Sequence, residues 1–376
     1  MSYRIGILGG GQLARMSTLA AYRLGFSVNI LERFKNSPAA QITKNEFIGW
    51  VDDKKIMKRF LDSSDIITLE NEFIDFHHLE WIENHHKKVI PSSKTISLVQ
   101  DKLIQKETFQ KAKLPVPEFL EVSNDTTYSE IKKKLGKKFL LKSRKFGYDG
   151  YGNSLINNEK DFINSFKKLT ERHSTLLAEK FIDFKKELAI MIVRTKKEIK
   201  TYPVVETIQK NHICNIIIAP AQIEKKLINE VIEIGIEAVK SIEGYGLFGI
   251  EFFLTKNNEI LINEIAPRPH NSGHYTIEAN VTSQFENHIR SILNLPLGST
   301  EMIYPFSVMI NLLGKINRKN HKVDVSKVLT YEGAHLHIYG KEQSRKGRKM
   351  GHITFCGDDL NFLLNKAMDA ERKIII

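Results

Sequence analysis

Apolar positions in the first hundred residues follow two alternating periods. Residues 3–8 form a short apolar run, Gly9, Gly10 and Gly11 interrupt it, and residues 12–24 carry apolar side chains every third or fourth position up to Gly25. That order predicts strand, turn and helix, with the next strand over 27–31. A strand over 65–69, a helix over 75–86 and a short strand at 89–90 continue the alternation. Repeated strand–helix–strand units predict a parallel sheet with helices on both faces.

The pattern then changes. A helix over 98–112 is stopped by Pro115 and Pro117, and strands at 119–122 and 139–143 flank a helix over 129–135. Downstream, period-two segments over 176–180, 187–194, 199–205 and 212–218, a helical stretch over 222–242, and strands over 246–255 and 259–265 predict a mostly antiparallel α+β unit. Short strands at 306–312, 334–338 and 351–355 and a closing helix form a small third unit. The expected fold combines α/β and α+β parts, with domains over 1–97, 98–300 and 301–376.

Composition narrows the function classes. The 376 residues are 41% hydrophobic and 27% charged, which excludes collagen-like, coiled-coil and disordered chains. No apolar run reaches the roughly 18 residues of a membrane span, and the N-terminus enters a strand pattern rather than a signal peptide, so a cytoplasmic protein with no membrane partner is expected. Cys214 and Cys356, the two cysteines, allow neither a disulfide framework nor a cysteine zinc site, and both are expected in the core. The net charge of +12 attracts phosphates generally. No nucleic-acid motif with interleaved aromatics accompanies it, and Lys132, Lys133, Lys134, Lys137 and Lys138 read as a solvated face.

Five sites carry candidate chemistry. Gly9–Gly11 with Gln12 opens a helix after a strand, an arrangement that offers backbone N–H groups to a phosphate-bearing ligand or is simply a tight turn, and Glu32 ends the second strand where a nicotinamide site has its ribose acid, at a spacing from Gly9 that is loose for that role. Glu70 and Glu72 end a strand on the same sheet edge. Lys142, Arg144 and Lys145 precede Gly147, Gly150 and Gly152, a cationic glycine-rich segment suited to polyphosphate, and Lys142 sits in an apolar run where it needs a partner. A two-residue turn at Asn257 and Asn258 would pair positions summing to 515 and set Glu251 opposite Glu264, two like charges that ask for a cation such as Mg²⁺. The loop Ala266-Pro267-Arg268-Pro269-His270-Asn271-Ser272-Gly273-His274 then brings a cation and two histidines beside that pair.

This order of motifs resembles the ATP-grasp superfamily and, within it, the N5-carboxyaminoimidazole ribonucleotide synthetases of de novo purine synthesis. The resemblance spans the whole chain and rests on Gly9-Gly10-Gly11-Gln12-Leu13-Ala14-Arg15-Met16, Gly147-Tyr148-Asp149-Gly150, the segment from Glu264 to His274, and Arg345-Lys346-Gly347-Arg348-Lys349-Met350-Gly351-His352. It implies an ATP-grasp architecture and carboxylation of 5-aminoimidazole ribonucleotide by bicarbonate, with ATP and Mg²⁺ or Mn²⁺, in a homodimer. It assigns to ATP Lys102, Lys142, Gly147, Tyr148, Asp149, Gly150, Tyr151, Gly152, Asn153, Glu179, Lys180, Phe181, Ile182, Glu187, Gln209, Asn263 and Glu264, and to the metal Glu251 and Glu264. The ribonucleotide would meet Gln12, Leu13, Glu72, Tyr148, Asp149, His270, Lys341 and Arg348, with Asp149, Arg268 and Lys142 as catalytic groups. Lys102, Phe146, Tyr151 and Gln209 stand where the family pattern has arginine, glycine, a cation and histidine. The alternatives are another ATP-grasp ligase, such as formate-dependent glycinamide ribonucleotide transformylase or biotin carboxylase, and a nicotinamide-dependent oxidoreductase.

Overall fold

A computed structural model of the chain describes residues 3–147, 152–171, 175–319 and 324–374. Five parallel strands open it, in the order Glu46–Ile48, Ser27–Glu32, Arg4–Leu8, Ile66–Leu69, Lys88–Val89. The central strand is paired on both edges and covered on both faces, so Ile5, Ile7 and Leu8 are all buried. Strand order reverses at that strand, and its C-terminal end lies beside that of Ile66–Leu69, the place where open α/β sheets form crevices. The edge strand Glu46–Ile48 and the helix Lys54–Asp62 are not evident in the pattern, because three residues show no alternation and the helix is mostly charged. Asp53 starts that helix by accepting from the N–H groups of Lys55 and Ile56, and Met57, Phe60 and Leu61 hold it to the sheet.

Two expectations fail, one at a helix cap and one at a proline. The helix expected over 98–112 is two helices, Ser93–Val99 and Lys102–Lys111, because Asp101 caps the second by accepting from Leu103 N–H at 2.9 Å. The strand expected over 199–205 stops at Thr201, and a new strand Val205–Lys210 follows Pro203, which has no N–H to donate to a ladder. Both cysteines are free and half-buried rather than enclosed in the core.

A four-stranded antiparallel sheet, Phe119–Val122, Leu176–Lys180, Phe139–Ser143, Asn153–Ile156, packs over Ile131, Phe139, Leu141 and Phe162. The largest sheet has nine strands and runs Ile260–Ala266, Gly246–Thr255, Phe184–Arg194, Val205–Lys210, Ile213–Ala219, Phe306–Leu313, Lys349–Gly357, His335–Ile338, with Ile199–Thr201 alongside Phe184–Arg194. The strands of the C-terminal segment therefore extend this sheet from Ile213–Ala219, and the helix Leu360–Lys373 covers Val308, Ile310, Ile353 and Phe355.

The hairpin that ends the sheet reaches the expected pairing by another route. Its turn holds three residues, Lys256 to Asn258, closed by Thr255 N–H to Glu259 O and by Asn258 at a φ of 62°. Leu254 therefore faces Ile260 and Phe252 faces Ile262, positions summing to 514. A bulge at Asn263 adds one residue and restores the register, so Glu251 does face Glu264.

Candidate functional site

The bulge makes the site as well as the register. Asn263 and Glu264 both reach towards Glu251, and Asn263 Nδ2 donates to Glu251 Oε2 at 3.1 Å. Lys102, in the first turn of its helix, donates Nζ to Glu264 Oε2. Desolvation and the Glu264 charge push Glu251 up to about 7. Desolvation opposes ionisation of Glu264 too, but the Lys102 charge and hydrogen bond outweigh it and hold Glu264 at about 2. His270 Nε2 lies 3.6 Å from Glu251 Oε1. Burial, then the charges of Arg268 and Lys349, hold that imidazole neutral, at about 3. Ser272 N–H donates to its Nδ1, so the ring proton sits on Nε2, facing Glu251.

Behind this pair lies a buried triad. Glu179 Oε1 is 2.6 Å from Lys142 Nζ, and Glu179 Oε2 is 2.6 Å from Lys106 Nζ. Lys142 thus has the partner its apolar surroundings require, and the Glu179 carboxylate is taken up by two ammonium groups. Lys106 Nζ also donates to Asn263 O at 3.3 Å, which ties the triad to the bulge. Burial raises Glu187, against the hydrogen bond it receives from Gln209, so these two expected residues also meet.

The loop after the hairpin closes on the parallel sheet. Arg268 forms a fork with Glu72, Nε to Oε2 at 2.5 Å and Nη2 to Oε1 at 3.0 Å. Lys341 Nζ donates to Gln12 Oε1, and Arg348 Nη1 donates to Gln343 O at 2.7 Å. The loop backbone is fixed from two sides. His270 N–H donates to Gln284 Oε1 at 3.0 Å, and Asn271 and Asn311 exchange amide hydrogen bonds at 2.7 and 2.9 Å. Lys138 Nζ lies 3.5 Å above the Phe181 ring, and Lys180 Nζ donates to Glu118 at 2.7 Å. Phe181 and Ile182 continue the chain between Lys180 and the strand Phe184–Arg194, while Gly147, Gly152 and Asn153 flank Tyr148, Asp149, Gly150 and Tyr151, which lie outside the described residues.

The comparisons with known proteins agree along the chain. Residues 2–100 match the ribonucleotide synthetase preATP-grasp domain, 107–285 the ATP-grasp domain, and 307–366 the phosphoribosylaminoimidazole carboxylase C-terminal domain. The N5-carboxyaminoimidazole ribonucleotide synthase of Bacillus subtilis is 36% identical over 93% of this chain and 90% of its own. The chain belongs to the N5-carboxyaminoimidazole ribonucleotide synthase family. Its members are ATP-grasp ligases. A crystal structure of the Aspergillus clavatus synthase in complex with ADP and 5-aminoimidazole ribonucleotide superposes with a TM-score of 0.89 at 34% identity, covering 99% of each chain. The phosphoribosylaminoimidazole carboxylase of Vigna aconitifolia is 38% identical over 95% of this chain, and this chain spans 64% of that longer protein.

Within this synthase-family chain the first glycine turn has a different role from the one its spacing suggests. Glu70 Oε2 accepts from Gly11 N–H at 2.9 Å, Glu70 Oε1 from Leu13 N–H at 3.3 Å, and Glu32 Oε2 from Gly10 N–H at 2.9 Å. The chain's own carboxylates accept from the donors that the spacing offers to an anion, and Glu32 is turned onto Gly10 N–H. A Cβ on Gly11 would stand 2.1 Å from Glu70 Oε1. Gly11 has a φ of −75°, so alanine meets no backbone penalty there and acts only by displacing Glu70. Gly11→Ala should cost roughly 1–3 kcal/mol, the cost of unpairing a buried donor, as read from the urea midpoint. Adding Glu70→Ala should cost less than the sum of the two changes, because the clash is then gone.

Lys106 and Asn311 are participants the sequence did not point to. Only Lys106 left a signal there, four residues after Lys102 on one helix face. Among the described residues, no helix is long and apolar enough to cross a membrane.

Proposed function

We propose that this chain carboxylates the exocyclic amine of 5-aminoimidazole ribonucleotide with bicarbonate and ATP, yielding N5-carboxyaminoimidazole ribonucleotide, ADP and phosphate in purine synthesis. The observation that carries the reading is convergence on one edge. Arg268 forks onto Glu72 at the end of the parallel sheet, His270 two residues further on lies 3.6 Å from Glu251, and Lys341 donates to Gln12 at the same sheet edge. The hairpin carboxylates and the lysine that meets Gln12 therefore share one edge.

A bicarbonate oxygen attacks the γ-phosphorus and ADP leaves. The amine nitrogen then attacks the carboxyl carbon of carboxyphosphate, phosphate leaves and the nitrogen loses a proton. Lys102 and Lys142 hold the polyphosphate, and Arg268, oriented by its fork with Glu72, faces the charge of the transferring phosphoryl group. Asp149 takes or orients the amine proton in this scheme. Neutral His270 offers an N–H donor without adding charge beside the carboxylates. Two facing carboxylates with hard oxygen donors suit Mg²⁺ or Mn²⁺, and Glu251 and Glu264 would hold the ion. When bound, it neutralises phosphate charge. The ATP ligands assigned above and a homodimer belong to the same proposal and rest on the family resemblance, while the domains over 1–97, 98–300 and 301–376 rest on the order of elements and a cytoplasmic setting on the hydropathy pattern.

A coupled assay of ADP release tests it. ADP should appear rapidly only when bicarbonate and the ribonucleotide are both present. Release that is indifferent to the ribonucleotide, or that answers instead to biotin or to formate with glycinamide ribonucleotide, would sink the reading. Lys341 and Arg348 are assigned to the ribonucleotide phosphate. Arg348→Ala should weaken ribonucleotide binding by roughly 1.5–3 kcal/mol and leave MgATP binding nearly unchanged in parallel titrations.

A further inference from the structure

Beyond the hairpin, a second cluster of ligating side chains joins three separate elements. Glu278 comes from the short helix Thr276–Ala279, His337 from the strand His335–Ile338, and His352 from the strand Lys349–Gly357. His337 and His352 are cross-strand partners, and their rings stack at 4.4 Å and 12°. Glu278 Oε1 lies 2.7 Å from His337 Nε2. One ligand atom from each residue lies within 4.8 Å of the other two.

Two of these groups are incompletely paired. His352 is fully buried, and its Nε2 has no hydrogen-bond partner although its Nδ1 is engaged by Tyr339 Oη at 2.8 Å. Glu278 Oε2 is likewise buried without a partner. Such atoms are costly in a protein interior unless something fills the place they face. His274 stands nearby, its ring 5.2 Å from His352, but it belongs outside the ligand set. Gln284 is fixed by the His270 backbone, so its Nε2 donates to His274 Nδ1 and leaves the proton on His274 Nε2.

We infer that Glu278, His337 and His352 form a binding site for a borderline transition-metal dication, Zn²⁺ foremost, distinct from the oxygen-rich hairpin pair. Two imidazoles and one carboxylate are a zinc donor set rather than a magnesium one, and Tyr339 supplies the outer hydrogen bond that a ligating histidine needs. Ligand atoms of tetrahedral zinc sit about 3.3 Å apart, so closure asks for a shift of roughly 1.5 Å or less and for the stacked rings to tilt out of parallel, because each nitrogen lone pair lies in its own ring plane. A bound ion would brace the strands on either side of Lys341 against the helix that follows the His270–His274 loop.

Chelator-treated full-length protein, in excess Mg²⁺ to fill the hairpin site and without nucleotide, is titrated with Zn²⁺ and separately with Co²⁺. One equivalent of Zn²⁺ should bind at micromolar Kd or tighter and raise Tm, and Co²⁺ should give the intense visible absorption of a four-coordinate site. His337→Gln and Glu278→Gln, whose side chains sit nearer the surface than His352, should each weaken Zn²⁺ binding at least tenfold. Binding weaker than about 100 μM, or one equivalent unchanged in both variants, would overturn the assignment. The first result would leave the cluster as a hydrogen-bonded pocket holding water.

Discussion

Glu264→Gln should lower ATP turnover by roughly 10³-fold, the effect of losing several kcal/mol of charge stabilisation at the phosphoryl group, while the protein stays folded. The charge balance of the hairpin explains why the fold should survive. Glu264 is both the like-charge neighbour that helps push Glu251 up to about 7 and the partner of Lys102. Removing its charge takes away a repulsion and an attraction together. Glu251 then ionises more readily, and Lys102, which already feels Glu251 and Glu179, retains a counter-charge. Apo stability should change by no more than about 1 kcal/mol, since the pair is partly open to solvent. A large loss of stability, with normal specific activity in the folded fraction, would make the pair structural instead.

Glu179→Ala should have the largest effect on folding. The carboxylate it removes is the shared counterion of Lys106 and Lys142, whose side chains are 3% and 7% exposed. Breaking a buried ion network from one side leaves uncompensated charge and costs roughly 3–5 kcal/mol. Lys106→Met should cost less, because Lys142 still pairs with Glu179. The acid limb offers a second reading. Desolvation works against ionisation of Glu179, but the two lysines outweigh it and hold the carboxyl at about 2, below its ordinary 4.5. Its stabilisation is therefore complete above about pH 4.5 and disappears as pH falls towards 2. The stability gap between the native protein and Glu179→Gln, measured by urea melts across that window, should close in the same direction. A gap that is flat with pH would show that the lysines do not depress Glu179.

How much of this was legible depends on whether the deciding contact is local. Lys142 announced a partner because a lysine amid Phe139, Leu140 and Leu141 cannot stand alone, though the spacing did not say which carboxylate it meets. The Glu251–Glu264 pairing came out correctly from a two-residue turn that does not exist, since a longer turn and a bulge cancel in the register. Neither leaves a compositional mark. The glycine turn misled for the opposite reason. Its donors are filled by Glu70, 59 residues beyond Gly11, and no spacing rule within a strand–turn–helix unit registers that. Lys106 was hidden because lysine on a helix normally marks the wet face, whereas this face turns inward with Leu103 and Phe109. Tyr148 and Asp149 rest on a motif alone.

The continuity of the nine-stranded sheet bears on how the chain can be cut. Ile213–Ala219 is bounded on one side by Val205–Lys210 and on the other by Phe306–Leu313. A fragment ending before residue 306 would uncover a row of unpaired backbone groups on a strand whose alternate residues, Ile216 and Ile218 against Ile217 and Ala219, are apolar on both faces. That is an adhesive margin, open to pairing with any other extended segment. The last seventy residues thus guard the solubility of the ATP-grasp half, and limited proteolysis near residue 300 should yield aggregates rather than a stable core.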